Sequence, residues 1–263
     1  MDINLSGKRA FVCGSTQGIG KAAAIELANL GASIVLVARN EEALKQVKAE
    51  LSQSENQTHD YLIADFSQPD ELREKVGEYL SKNAAPVHIL VNNTGGPASG
   101  KAIDAKIEEF ISAFQAHLIC NQILVQALVS GMKTEKYGRI INVISTSVKQ
   151  PIPNLGVSNT IRGAVASWSK TWAGELGEFG ITVNNVLPGS TETARIEAII
   201  QNKAKATGAN PADVRRQMEA EIPARRFAEA SETANAIAFL ASPAAAYING
   251  VNLPVDGGRT ACL

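Results

Sequence analysis

Residues 13–20 read C-G-S-T-Q-G-I-G and follow a short apolar segment, R-A-F-V-C, at Arg9–Cys13. An apolar-periodic stretch, Ile19–Leu30, begins inside this glycine-rich turn and stops at Gly31. A strand, a glycine-rich turn and a helix in direct succession are typical of the phosphate-binding turn that opens a βαβ unit. The stretch therefore predicts a nucleotide-binding α/β fold.

Three glycines of the turn have separate expected uses. Gly14 permits the tight bend, Gly18 allows the backbone to approach a pyrophosphate, and Gly20 lets helix and strand pack closely. The free N–H groups at the start of the helix would face the phosphates. An ordinary glycine-rich turn is the alternative interpretation.

Strand-like and helix-like segments alternate along the rest of the chain. The predicted strands are Arg9–Cys13, Ser33–Ala38, Asp60–Ala64, His88–Val91, Arg139–Ile144, Ile181–Val186 and Gly250–Pro254. The predicted helices are Ile19–Leu30, Glu41–Leu51, Glu71–Asn83, Ile107–Met132 and Leu155–Glu178. The alternation predicts one α/β domain over residues 1–263, a Rossmann-type doubly wound parallel sheet of about seven strands with helices on both faces. The polar segment Ser190–Arg226 interrupts it as a substrate lid.

Composition narrows the class of protein. The 25 basic and 26 acidic side chains nearly cancel, which gives no electrostatic reason to expect nucleic acid or an anionic membrane as partner. The longest apolar runs have the length of strands, and no leader-like segment opens the chain. Cys13, Cys120 and Cys262 lack C-x-x-C spacing, so we expect reduced thiols in a cytoplasmic protein. The histidines do not cluster, and no metal site is expected.

The end of the second predicted strand bears on the choice of nicotinamide cofactor. It reads V-A-R-N and places Arg39 where a carboxylate would hold the ribose hydroxyls of NAD(H). A planar guanidinium can pair with a 2′-phosphate, and Ser15 and Thr16 could add hydroxyl donors. NADP(H) is therefore favoured over NAD(H), the alternative being that Arg39 is a solvated loop charge.

Four further motifs accompany the glycine turn in order. They are Asp65 in I-A-D-F, the run Asn92-Asn93-Thr94-Gly95, the turn Pro188-Gly189 followed by S-T-E-T, and V-D-G-G at Val255–Gly258. With them the whole chain resembles the short-chain dehydrogenase/reductase family, and within it the 3-oxoacyl-(acyl-carrier-protein) reductase-like members. The resemblance implies that Asp65 hydrogen-bonds the adenine and that the asparagine run steadies the central sheet.

The resemblance also implies a set of residues that contact the cofactor. They are Gly14, Ser15, Thr16, Gln17, Gly18, Ile19, Gly20, Arg39, Asp65, Phe66, Asn93, Thr94, Gly95, Arg162, Pro188, Gly189 and Thr191.

The catalytic positions depart from the family pattern of Ser, Tyr, Lys and Asn. Counting from F-G-I-T-V-N-N and W-S-K-T puts Ser145 at the serine position, Ser158 at the tyrosine, Arg162 at the lysine and His117 at the asparagine. Only the serine is kept. Ser158 and Arg162 are spaced i, i+4 and lie on one face of a helix.

The substituted residues still suggest chemistry. Arg162 can hold the nicotinamide ribose and stabilise an oxyanion together with Ser145, but it does not exchange a proton near neutral pH. Ser158 is a poor acid, so the proton would come through His117, whose ordinary pKa of about 6.5 suits the task, or through a water held by Ser158. His117 packed between helices is the competing interpretation.

Three functions remain open. The favoured one is an NADP-dependent oxidoreductase acting on a small carbonyl or secondary alcohol, with a 3-oxoacyl thioester as one candidate. The second is a non-catalytic NADP-binding sensor or inactive partner subunit, and the third is a lyase or isomerase. Arg195, Arg215, Arg216, Arg225 and Arg226 of the lid could meet an acidic substrate or remain solvated. The family resemblance implies a homodimer or homotetramer.

Overall fold

The computed structural model describes residues 1–54 and 56–262, which form one α/β domain; Glu55 and Leu263 of the predicted domain lie outside them. Seven parallel strands make one sheet in the order β3-β2-β1-β4-β5-β6-β7. The strands are β1 Arg9–Cys13, β2 Ser33–Ala38, β3 Asp60–Ile63, β4 Ile89–Asn92, β5 Gly138–Val143, β6 Ile181–Pro188 and β7 Asn252–Val255. The helices are α1 Gly18–Asn29, α2 Glu41–Glu50, α3 Pro69–Lys82, α4 Ile107–Phe114, α5 Cys120–Glu135, α6 Gly156–Leu176, α7 Ala194–Thr207, α8 Pro211–Ala220 and α9 Ala230–Ala241.

Two apolar cores explain the layering. Alternate residues of the central strands point to opposite faces, so each strand contributes to both cores. One core packs α1, α2 and α9 against the sheet, and the other packs α3, α5 and α6. The predicted fold class, with seven parallel strands and helices on both faces, is confirmed.

Three features differ from the prediction. The segment expected as one helix, Ile107–Met132, is divided into α4 and α5 by a π-helical turn at Gln115–Ile119. The lid, which was predicted as a polar segment with no assigned helices, contains the two helices α7 and α8. Helix α9 was not predicted, because its alanine-rich sequence is weakly amphipathic. In the structure it contributes many residues to one core.

A row of asparagines crosses four neighbouring strands, from the last residue of β4 to the first residue of β7. Asn92 donates to Asn142 Oδ1 at 2.8 Å, Asn142 to Asn185 Oδ1 at 2.9 Å, and Asn185 to Asn252 Oδ1 at 2.7 Å. The four are register partners in β4, β5, β6 and β7. Asn142 also donates to Ser169 Oγ of α6 at 3.2 Å. This asparagine ladder links the strands and the helix on which the site is built.

One described helical stretch, Ile107–Glu135, is long and apolar enough to cross a membrane by length and composition. In this structure 44% of its apolar window is buried inside the protein. The core helix of a soluble protein passes the same test, so this stretch is weak evidence for a membrane span.

The asparagine ladder leads to a stability prediction. Asn142→Ala should lower the free energy of unfolding by ~2–4 kcal/mol, because it removes the acceptor of the buried Asn92 Nδ2 and the donor to the buried Asn185 Oδ1. Asn252→Ala, at the ladder's end, should cost about 1 kcal/mol. Urea unfolding of both variants checks this, and equal losses would contradict a cooperative ladder.

Candidate functional site

A cleft of about 920 Å³ lies beyond the carboxyl ends of the central strands. Its walls come from segments that directly follow β4, β5 and β6, and from helix α7 of the lid. This is where ligands bind in open parallel sheets. Opposite the lid, Gly100 and Leu155 form a bridge that joins the loop after β4 to the start of α6.

The glycine turn has the geometry expected for a dinucleotide. Gly14 and Gly18 have φ of +58° and +54°, which side chains disfavour. A Cβ on Gly20 would lie 2.2 Å from Gly14 O, so only glycine permits the close approach of helix and strand there. A Cβ on Gly18 would lie 3.1 Å from Thr193 Cγ2, which places the beginning of the lid directly over the turn.

Polar groups around the turn leave capacity for phosphates and ribose. Ser15 is fully buried, and its Oγ has no partner among the residues described. Asn93 Nδ2 donates to Cys13 O at 3.2 Å and so ties the end of β4 to the turn. Thr191 Oγ1 donates to Gly189 O at 3.2 Å and shapes the loop after β6. These residues fit a dinucleotide.

Arg39 stands at the end of β2 with its side chain 75% exposed. Its nearest described carboxylate is Asp65, with Oδ2 3.9 Å from Nη1. Asp65 is held in place by a bond from Ser67 N at 2.8 Å, and this bond is the largest factor lowering its pKa. Because 3.9 Å is too long for a hydrogen bond to Asp65, the Arg39 guanidinium has donors available for a phosphate.

The cleft brings together Ser145, Ser158 and Arg162. Arg162 is only 8% exposed and donates from Nη1 to Val143 O at 3.0 Å, which anchors the guanidinium at the end of β5. Ser145 Oγ accepts from Ser147 N at 3.1 Å. Three of the four predicted catalytic side chains thus line the same cleft, and the surface that they form is called the catalytic wall.

The charge on Arg162 is unusual for a buried group. Burial, and next the positive charge of Arg195, lower its pKa to about 10, so the guanidinium is still protonated at neutral pH. Its Nε has no hydrogen-bond partner within the described chain. A buried cation with unused donors favours a developing negative charge nearby.

His117 behaves differently from its expected role. It lies in the π-helical turn, is 3% exposed, and is absent from the described residues that line the cleft. Burial first, then the charges of Arg162 and Arg195, lower its pKa to about 2, against an opposing hydrogen bond with the backbone of Gly95. The expectation of an ordinary imidazole pKa was wrong, because the ring is buried beside two cations. His117 is neutral at pH 7.

The lid contributes one arginine to the cleft. Arg195 of α7 donates to Gly96 O and to Pro97 O, both at 3.0 Å, across the opening. The other predicted lid arginines point elsewhere. Arg215 pairs with Glu192 and Glu197, Arg216 with Asp213, and Arg226 with Glu232, while Arg225 donates to Ala220 O.

Sequence comparison assigns the family. The profile described as "Enoyl-(Acyl carrier protein) reductase" matches residues 14–260. The chain belongs to the short-chain dehydrogenase/reductase family, as the sequence motifs predicted.

Individual relatives cover almost the whole chain. The NADPH-dependent reductase BacG of Bacillus subtilis is 30% identical over 97% of this chain and 98% of its own. The 3-oxoacyl-(acyl-carrier-protein) reductase of Vibrio cholerae is 34% identical over the same shares. The L-sorbose reductase of Gluconobacter frateurii, solved with NADPH and L-sorbose, has a TM-score of 0.92 at 31% identity and covers all of both chains. The prediction of an oxidoreductase family whose members use NADP(H) is confirmed by these relatives.

The His117 environment predicts an acid-sensitive stability. The unfolded chain takes up a proton at this histidine below about pH 6.5, whereas the folded chain does so only near pH 2. The free energy of unfolding therefore decreases as the pH falls below about 6.5. From pH 7.5 to 5.0 the loss from this group should be about 2 kcal/mol. Urea unfolding of the wild type and His117→Asn across that range isolates it.

All other titrating groups, including His88 with its lowered pKa, are common to both proteins and cancel in the comparison. Identical pH dependence in the two proteins would show that His117 is not held neutral by its surroundings.

Proposed function

We propose that this chain is an NADPH-dependent oxidoreductase that interconverts a small carbonyl compound and its secondary alcohol without a catalytic tyrosine. The observation that carries the proposal is the buried, protonated Arg162, anchored to Val143 O on the wall that also holds Ser145 and Ser158. A site kept only for binding would not need three hydrogen-bonding side chains lining the same cleft.

The residues divide the work of reduction. When bound, NADPH supplies a hydride to the carbonyl carbon. The loops after β4 and β6 and the glycine turn hold the cofactor, and Arg39 pairs with its 2′-phosphate. Ser145 orients the carbonyl oxygen by donating a hydrogen bond. Arg162 stabilises the negative charge that grows on that oxygen, because its own charge is already in place.

The alkoxide must still gain one proton to become the alcohol. Arg162 keeps its proton at neutral pH, and neutral His117 lies behind the cleft wall. The remaining route runs from solvent through a water held by the Ser158 hydroxyl, which lines the cleft. His117 then serves as a positioning residue for Gly95 and for the environment of Arg162.

The second candidate is a non-catalytic NADP-binding sensor or partner subunit. It is favoured by one observation, the absence of a tyrosine or histidine among the described residues that line the cleft. A 3-oxoacyl thioester remains one candidate substrate, because the relative from Vibrio cholerae is named for it.

Arg39 provides the test of cofactor choice. Arg39→Ala should weaken NADPH binding by ~10–100-fold and leave NADH binding nearly unchanged, because it removes a charge-assisted bond to the 2′-phosphate. Fluorescence titration with both cofactors measures this. Arg73→Ala, which removes another exposed arginine, is the control. Equal weakening of both cofactors would argue against a 2′-phosphate contact.

The activity is tested by NADPH depletion with ketones, 3-oxoacyl thioesters and quinones. Arg162→Met should lower kcat/KM by ~10²–10³-fold, since it removes the oxyanion partner. Ser158→Ala should lower it by about 10-fold through loss of one hydrogen bond. Ser167→Ala, on the exposed side of α6, serves as the matched control.

Wild-type protein that binds NADPH and turns over no carbonyl would support the sensor or partner subunit instead. If Ser158→Ala equals the wild type, the serine is only a spacer and the proton takes another path.

A homodimer or homotetramer is also proposed. Helix α6 exposes small residues such as Gly163 and Gly174, and α4 exposes Ile107, Ile111 and Phe114. Both surfaces suit close packing between copies of the chain. A mass of 27.8 kDa by light scattering, that of one chain, would contradict this. A cytoplasmic location stays a prediction.

A further inference from the structure

Resting on the proposed function, we propose that Arg195 binds a carboxylate of the substrate, so that the enzyme prefers short oxo acids to neutral ketones. The lid helix α7 carries this arginine, and the cleft places it near Arg162.

Arg162 and Arg195 carry positive charges that no described carboxylate compensates. Arg195 is close enough to Arg162 to lower its pKa, so the two guanidinium groups repel each other. Within the described residues neither is ion-paired with a carboxylate, and both hydrogen-bond only to backbone carbonyls. Two adjacent cations without a counter-ion are stabilised by an anion that lies between or beside them.

The guanidinium of Arg195 has N–H donors beyond those used in its two hydrogen bonds. A guanidinium carries five N–H groups in a planar fork that matches a carboxylate. Arg195 uses one on Gly96 O and one on Pro97 O, and its side chain remains accessible from the cleft. These two bonds hold the fork against the loop after β4. A Cβ on Gly96 would lie 3.0 Å from Arg195 Nη2, so glycine lets the guanidinium rest on the backbone.

The cleft as a whole is lined by more basic than acidic side chains. Its charged lining residues are five basic and two acidic, namely Lys101, Arg162, Arg195, Lys203 and Arg259 with Asp104 and Glu221. Arg259 pairs with Glu221 at 3.5 Å, which cancels one charge of each sign. The remaining excess is positive and attracts anionic substrates over neutral ones.

The spacing of the two arginines limits the substrate. The reacting carbonyl lies at Arg162 in the proposed mechanism, and the carboxylate lies at Arg195, which lines the same cleft. The substrate must therefore carry carbonyl and carboxylate within one small molecule that the cleft can hold. A 2-oxo or 4-oxo acid satisfies this, whereas a long neutral acyl thioester leaves Arg195 without an anion.

The experiment compares 2-oxo and 4-oxo acids of four to eight carbons with their methyl esters at saturating NADPH. The wild type should favour the acid by ~10–100-fold in kcat/KM, the effect of one charge-assisted hydrogen bond. Arg195→Met should abolish the preference and keep NADPH affinity within about 2-fold, and Arg195→Lys should restore part of it. Arg216→Met, an exposed lid arginine outside the cleft lining, should behave as the wild type.

A second readout does not need turnover. Hexanoate and its neutral isostere hexanamide are titrated into the NADPH-loaded protein and followed by NADPH fluorescence. Hexanoate should bind at least ~10-fold more tightly than hexanamide, and Arg195→Met should remove the difference.

The outcomes separate the two proposals. Hexanoate binding lost in Arg195→Met, without turnover of any carbonyl, would support the anion site and defeat the proposed reduction. Reduction of neutral ketones and esters as fast as acids would overturn the anion site and leave the reduction intact. Arg195→Met that weakens NADPH without changing substrate preference would also overturn it, because the arginine would then serve a cofactor phosphate.

Discussion

The hydrogen-bonded row of Asn92, Asn142, Asn185 and Asn252 is the constraint on which the site depends. It joins β4, β5, β6 and β7 through register partners, and Asn142 extends it to Ser169 of α6, the helix that carries Ser158 and Arg162. The residue after Asn92 continues the connection, since Asn93 donates to Cys13 O at the glycine turn. Cofactor turn, catalytic wall and sheet are therefore positioned by one connected set of amides. Such buried networks are costly when incomplete, which makes the arrangement specific.

The buried guanidinium of Arg162 occupies the position at which the family pattern has a lysine. Arg162 is fixed by Val143 O, loses solvation, and faces the like charge of Arg195, yet it stays protonated at neutral pH. Burial first, and then the charges of Arg162 and Arg195, lower the pKa of His117 and keep it neutral. The wall is thus arranged to stabilise negative charge rather than to exchange protons. Reduction on it would rely on positioning and oxyanion stabilisation, with the proton drawn from water.

Much of this could be read from the sequence. The strand β1 and the turn at 13–20 were predicted with correct bounds, because a buried strand followed by glycines at fixed spacing has few other structures. The long helix was predicted, but the π-helical turn that buries His117 was not, since periodicity does not reveal one extra residue per turn. Helix α9 was missed because alanine gives little contrast between its faces. The asparagine ladder had a readable signal, one asparagine or more in each of four mostly apolar strands. The sequence carries no signal that distinguishes Arg195 from the other four lid arginines. Only the folded lid shows that Arg195 lines the cleft while the others are paired or face away from it.

In the proposed reaction Ser145, Ser158 and Arg162 promote hydride transfer from NADPH to a carbonyl without a tyrosine. The most direct test uses NADPH deuterated separately on each face of the nicotinamide C4, with mass spectrometry of the alcohol formed from a short oxo acid. The account predicts that one deuterium from a single face appears on the former carbonyl carbon. NADPH binding with no deuterium in any product would contradict it.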